Sequence, residues 1–232
     1  MKVGDIDIQV ERKDIKNTHL SVFPPNARVH ISAPKYLSDY DILSYAISKI
    51  DWITKQREKI LSQSRQTKRE YVSGENHYLF GNRYILNVKE EDCRPSVMLN
   101  NINMNMLIRP GYDEDHKKEL LRGFYKKQLQ KQLTILVNKW LPILEEDNIE
   151  WTIRAMKTKW GSCCPEKRKI LFNLELARVP LNCIEYVVVH ELVHLKERHH
   201  DKYFKSLMTQ YLQDWQNSKK QLNEFVATYI GI

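Results

Sequence analysis

The run His190-Glu191-Leu192-Val193-His194 sets two imidazoles and a carboxylate among Ile184, Val187, Val188, Val189, Leu192, Val193 and Leu195. Such a helix is apolar nearly all round and has to be buried. Buried polar groups need partners, and a metal ion would supply one to both histidines. At ~100° per residue, His190 and His194 lie about 40° apart on one face, so both rings reach one ion. Glu191 then sits where it can take a proton from a metal-polarised water. A catalytic zinc needs a third protein donor and one open position, and His199 and His200 are the candidates. On an unbroken helix His200 would be rotated roughly 240° from His194 and would point away. The chain must therefore turn over about residues 195–198. Asp201 is suited to cap a second helix starting at Lys202-Tyr203-Phe204, which would carry His200 back to the metal. His199 reads as a solvent-facing histidine or as one that supports the ligands from outside.

With 232 residues, 42% hydrophobic and 28% charged, the chain has the composition of a soluble globular protein able to bury one large core or two small ones. No apolar run approaches the ~20 residues of a membrane span, and the first ten residues have no signal-peptide character, so a cytoplasmic location is expected. Cys93, Cys163, Cys164 and Cys183 include no CxxC pair, and two of them are adjacent, which suits neither a disulfide framework nor an all-cysteine zinc site. The net charge of +8 admits nucleic acid as a partner. The basic residues gather in two stretches: Lys55, Arg57, Lys59, Arg65, Lys68 and Arg69, then Lys117, Lys118, Arg122, Lys126, Lys127 and Lys131. A solvated helix face is the simpler reading of each.

Alternation in the first third predicts strands. Ile6, Ile8 and Val10 share one face, and 20–23 and 27–33 form two more strands around a Pro24-Pro25-Asn26 turn. Ser38 or Asp39 begins a helix to about 63, with Leu43, Ala46, Ile47, Ile50 and Ile53 on its apolar face. A polar stretch at 62–70 follows. Two hairpins come next, turning at Gly81-Asn82 and Asn100-Asn101. Pro110-Gly111 is the best boundary, giving a β-rich part with one helix over 1–112 and a metallopeptidase domain over 113–232, unless the two form one continuous unit. In the second part a helix over 114–140 stops before Pro142, and strands at 150–156 and 169–176 follow. Asn182, three residues before Glu185, makes a capping-box-like start to the histidine-bearing helix. No internal repeat is evident. The fold class is α+β.

The run Lys159-Trp160-Gly161-Ser162-Cys163, then Phe172-Asn173-Leu174, then Tyr186 to Leu195, closing with His200-Asp201-Lys202-Tyr203-Phe204, resembles the YgjP-like metallopeptidase family, itself similar to the SprT-like zincins. The resemblance is strongest over 150–205 and extends to the β-rich part. It implies a small zincin-type unit with zinc held by His190, His194 and a third histidine after a short loop, matching His200, and a peptide or protein substrate. It also implies a link to DNA, since some members are encoded beside restriction-modification systems and SprT-like relatives act on DNA-bound proteins. The chain departs from the family pattern at Lys159, where arginine is usual, at Leu174-Glu175, where Trp-Arg is usual, at His199, where asparagine is usual, and at Lys205. Glu175 thereby reverses a charge beside the expected cleft.

Trp160, Gly161 and Cys163 suit packing beneath the zinc, whereas Ser162 or Asn173 could bond a ligand or the substrate. A Cys163 thiolate would be a surplus ligand beside three histidines. Tyr203, Tyr186 and Arg178 are candidates for stabilising an oxyanion. The reaction expected is zinc-dependent peptide hydrolysis with Glu191 as general base and then acid, the substrate lying along the edge of the 169–176 strand. The rival is a DNA-associated accessory protein with a structural or latent zinc site. An intact Glu191 counts against it, because a structural site needs no base.

Overall fold

A computed structural model describes residues 1–23, 26–62 and 69–225, and the chain divides into two compact units, one within 1–66 and the other within 67–226. The expected Pro24-Pro25 turn and Arg65 and Lys68 of the first basic stretch lie outside the described residues, as does most of the polar stretch. The architecture is α+β. Pro110-Gly111 falls inside the second unit.

In the first unit, strands β1 (Lys2–Val3), β2 (Ile6–Lys13), β3 (His19–Phe23) and β4 (Arg28–Pro34) form a sheet in the order β1-β2-β4-β3, with β2 and β4 parallel. Period-two alternation puts Val29, Ile31 and Ala33 of β4 on one face, where they meet Ile8, Ile42, Ala46 and Ile53. Helix α1 (Asp39–Ser48) starts at a capping box: Ser38 Oγ accepts from the Asp41 N–H, and the Asp41 carboxylate accepts from the Ser38 N–H, each at 3.2 Å. The single expected helix is two. Lys49 donates its N–H to Ala46 in a tighter 3-10 step, and α2 (Ile50–Ser62) resumes from there. Ile47, expected on the apolar face, is exposed.

The second unit begins with β5 (Asn76–Leu79), β6 (Asn82–Glu90), β7 (Ser96–Asn100) and β8 (Asn103–Ile108), ordered β5-β6-β8-β7 with β6 and β8 parallel. This repeats the pairing scheme of the first sheet strand for strand. The first hairpin turns one residue earlier than expected, at Phe80 and Gly81, both with positive φ as a primed two-residue turn requires. The turn docks on the segment before the histidine-bearing helix: Phe80 and Gly81 donate to the Ala177 and Arg178 carbonyls at 2.9 and 3.0 Å. A Cβ at Gly81 would lie 2.9 Å from Pro180 Cγ.

Helix α3 (Glu114–Ile143), capped by Asp113, buries Leu121, Tyr125, Leu129, Leu133, Val137 and Trp140, at i, i+4 spacing up to Val137 and i, i+3 for the last step. It runs through Pro142 rather than stopping before it. The proline sits one residue from the end of the helix, where it removes the single bond to the Asn138 carbonyl and leaves almost no helix beyond it to be broken. Strands β9 (Glu150–Arg154), β10 (Gly161–Cys164) and β11 (Lys169–Asn173) form the third sheet, in the order β10-β11-β9. A 3-10 turn, Leu174–Arg178, leads into α4 (Leu181–Val193), followed by α5 (Lys202–Tyr211) and α6 (Trp215–Phe225). Helix α4 is the centre of the unit and packs against α3, α5, α6 and β10.

Two local expectations are corrected. Asn182 does not cap α4, because the chain enters the helix at Pro180, whose carbonyl accepts from Cys183 and Ile184; Asn182 instead donates to Gln221 of α6 at 2.6 Å. The strand expected to offer an edge, β11, is the middle strand. Its parallel pairing with β9 joins segments that no hairpin connects, and the outer strands of the sheet are β9 and β10, of which β10 lines the cleft.

Candidate active site

Helix α4 ends at Val193 because the chain turns at His194, its C-cap. Asp201 then caps α5, accepting from the Phe204 N–H at 2.9 Å. This helix, turn and helix return His200 to the first two histidines. His200 Nε2 lies 3.0 Å from His190 Nε2 and 3.1 Å from His194 Nε2, and the three donor atoms fall within 4.8 Å of one another. Those spacings are near the ~3.3 Å edge of a tetrahedron with 2.0–2.1 Å bonds to zinc. His199 is exposed, and its ring is not in the cluster.

The rings are held from behind. His194 Nδ1–H donates to the Glu197 carbonyl at 3.0 Å, which leaves Nε2 with its lone pair facing the cluster. The Phe204 ring packs 4.7–5.0 Å from all three imidazoles as their common floor. Burial, followed by the His194 and His200 charges, pushes His190 down to about 3, and burial likewise lowers His194. Neutral imidazoles are the form that ligates. His190 Nδ1 is buried with no hydrogen-bond partner.

Glu191 is 5% exposed and its side chain lies against β10. Burial pushes its carboxyl up to about 8, against the pull of the Lys159 charge and the nearby Cys163 N–H. Gly161 is the residue that makes room: a Cβ there would stand 2.6 Å from Glu191 Cγ and 2.7 Å from Cδ. That close approach explains a glycine in the Trp160-Gly161-Ser162-Cys163 run better than a turn does, since Gly161 is in a strand.

One cleft of about 440 Å³ contains the three histidines, Glu191, Lys159, Trp160, Ser162, Cys163, Tyr186, Val187 and Arg198. Burial, with Glu191 next, pushes the Cys163 thiol up to about 12, so it stays protonated and is a poor ligand. Tyr186 stacks on Trp215 at 6.3 Å and an interplanar angle of 11°. Arg178 does not enter this cleft; it pairs with Glu175 elsewhere. Tyr203 is exposed and does not line it either. Asn173, 2% exposed, spends its side chain on backbone. Nδ2 donates to the Met156 and Lys159 carbonyls at 2.9 and 2.8 Å, and Oδ1 accepts from the Glu175 and Met156 N–H groups at 3.2 and 3.3 Å. It fixes the loop that enters β10 and has no bond left for a ligand. The sequence signal for Phe204 and Gly161 was present in the motif, but their contacts depend on chain segments that only folding brings together.

Lys118, Arg122, Lys126, Lys127 and Lys131 are exposed along α3, and no helix among the described residues is long and apolar enough to cross a membrane.

Among solved structures, the chain is similar to the metallopeptidase zymogens jannalysin of Methanocaldococcus jannaschii, at 20% identity, and abylysin of Pyrococcus abyssi, at 18%. Each comparison covers 40% of this chain, with 94% and 91% of the other, at a TM-score of 0.37. No curated protein gives a significant match. The family model described as YgjP-like, metallopeptidase domain, matches residues 17–225, which takes in β3 and β4 of the first sheet, the whole of the second and everything that builds the cleft, and the chain therefore belongs to the YgjP-like metallopeptidase family.

Proposed function

We propose that the protein is a zinc-dependent peptidase in which His190, His194 and His200 hold the ion and Glu191 is the general base and then the general acid. The observation that carries this reading is the convergence of three imidazole Nε2 atoms and one buried carboxylate in a single cleft. The all-imidazole donor set fits zinc, which when bound supplies Lewis acidity towards a water and a peptide carbonyl. Glu191 takes the proton of the attacking water and passes it to the departing amine.

The substrate lies extended along β10. Asn173 donates its N–H to the Trp160 carbonyl, which makes Trp160 and Asn173 a hydrogen-bonded pair of the antiparallel ladder. By alternation the backbone groups of Gly161 and Cys163 then face the unpaired edge, beside Glu191. Trp160, Tyr186 and Val187 give the cleft an apolar wall for a substrate side chain.

The test is metal content together with cleavage of casein or a quenched peptide by the wild type and by Glu191→Gln. The variant should keep about one zinc per chain and lose activity by ~10² to 10⁴. Equal turnover in the variant would end the assignment of Glu191, and a wild type without stoichiometric zinc would end that of the metal.

A further inference from the structure

With Arg178 and Tyr203 outside the cleft, Tyr186 is the member of that trio which lines it. It stands on α4 about one helical turn before His190 and is 6% exposed. Its ring packs against two others, the His190 imidazole at 5.7 Å and the Trp215 indole at 6.3 Å, the second stacked within 11°. Trp215 is fixed in turn, since its Nε1–H donates to Thr209 Oγ1 at 3.1 Å. The phenol is therefore held in place before any substrate arrives.

The polar atom of so deeply buried a side chain ordinarily has a partner. Among the described residues the Tyr186 hydroxyl has none, and it is not sealed in the core, so it opens onto the cleft that the side chain lines. It is close enough to Glu191 for the carboxylate charge to bear on it. A phenol at neutral pH is protonated and can donate. What the hydroxyl lacks is an acceptor, and peptide hydrolysis creates one in this cleft. As the oxygen of water bonds to the carbonyl carbon and gives its proton to Glu191, the carbonyl π pair moves onto its own oxygen.

The other donors of the cleft are less suited to that oxygen. Arg198 is exposed and paired with Glu166 at 3.1 Å, and the Lys159 ammonium is on an exposed side chain. The Cys163 thiol is a weak donor. Ser162 alternates with Gly161, the residue that faces Glu191, and also lines a separate opening with Thr152 and Leu171.

We propose that Tyr186 is a further catalytic residue whose hydroxyl donates a hydrogen bond to the substrate carbonyl oxygen as that oxygen becomes an oxyanion. No proton leaves the tyrosine. When the C–N bond breaks, the oxyanion pair re-forms the carbonyl, and the amine departs with the bonding pair and the proton from Glu191. A donor fixed before the charge develops loses nothing to reorganisation, and removing one such donor costs ~10² to 10³ in turnover. The role rests on the zinc-peptidase reading above and adds a residue to it.

The experiment is Tyr186→Phe, which keeps the ring and its stack on Trp215 and deletes only the hydroxyl. The variant should hold about one zinc per chain and melt as the wild type does, with KM for a quenched peptide unchanged and kcat lower by ~10² to 10³. A second readout is calorimetric titration with a phosphinic peptide, whose tetrahedral oxyanion copies the developing charge. Tyr186→Phe should bind it about tenfold more weakly or worse. Affinity for the intact substrate peptide, compared in Glu191→Gln with and without Tyr186→Phe, should stay the same. Wild-type kcat in Tyr186→Phe, a change confined to KM, or undiminished phosphinic affinity would overturn the role of Tyr186 and leave zinc and Glu191 standing. Loss of zinc or a lower melting temperature in the variant would make the hydroxyl structural and overturn it as well. A wild type that neither holds zinc nor cleaves peptide would overturn both readings together.

Discussion

Replacing Gly161 with alanine adds one methyl group where the structure has no room for it. The new Cβ would stand 2.6 and 2.7 Å from Glu191 Cγ and Cδ, against an optimum of ~3.5–4.0 Å between carbons. Neither side yields easily: β10 is paired to β11 along its length, and Glu191 is 5% exposed on the central helix. Gly161 is not among the glycines of positive φ, so alanine has no backbone penalty there and gains ~0.4–1 kcal/mol from a less free unfolded chain. Overpacking costs ~1–3 kcal/mol. The net effect is a loss of roughly 1–2 kcal/mol, or roughly 2–8 °C in the melting temperature of a unit this size. The larger effect is on chemistry, since displacing a base by ~1 Å costs about 10²-fold in turnover. Thermal melts and peptide cleavage, read with zinc content, would measure both. The decisive arm is Glu191→Ala, which deletes the atoms in conflict: in that background Gly161→Ala should cost no stability. Equal destabilisation in both backgrounds would refute the contact as the cause.

Three further outcomes are expected. His200→Ala should lose the metal and His199→Ala should keep it, measured as zinc per chain by atomic emission; the reverse would move the third ligand by one residue. His77, fully buried, accepts from Arg69 at 3.0 Å and donates towards Glu75 at 3.3 Å, and burial followed by the Arg69 charge pushes it down to about 3. Its unfolded counterpart titrates near ~6.5, so stability that is complete above that pH falls as pH drops towards 3, by about 2 kcal/mol at pH ~5. His77→Gln should flatten this part of the urea-denaturation profile between pH 7 and 5, and an unchanged slope would show that other groups set it. If the lysines of α3 bind DNA, filter retention should fall steeply with salt and be weakened by reversing Lys117, Lys118, Lys126 and Lys127 to glutamate; no retention of single- or double-stranded DNA by wild type leaves those residues as ordinary surface charge.

The local parts of the site were legible because they rest on local chemistry. The angular spacing of His190 and His194, the need for a turn before His200, and the cap at Asp201 all follow from helix geometry and one side chain's reach. What escaped depends on pairings between distant segments. Periodicity marks 169–176 as a strand, three residues longer than β11, but does not say that β9 and β10 occupy its two sides, and so it put the edge beside the cleft on the wrong strand. The repeated scheme of the two four-stranded sheets was invisible for a similar reason, since it is a repeat of pairing order and not of residues. Asn182 misled because its spacing to Glu185 imitates a cap, while Pro180 had already started the helix. Glu185 instead accepts from Trp140 Nε1 at 2.9 Å and ties α4 to α3.

The order in which the cleft is completed along the chain bears on its biosynthesis. Synthesis runs from the N-terminus, so His190, Glu191 and His194 emerge before His200, and Phe204, the floor beneath all three imidazoles, comes later still. Trp215, on which Tyr186 stacks, and Leu222 and Phe225, buried on α6, follow last. A nascent chain halted short of His200 thus carries the base and two imidazoles but neither the third donor nor the floor. Full assembly of the cleft waits for nearly the last residues of the second unit, and premature termination yields a fragment lacking the complete site.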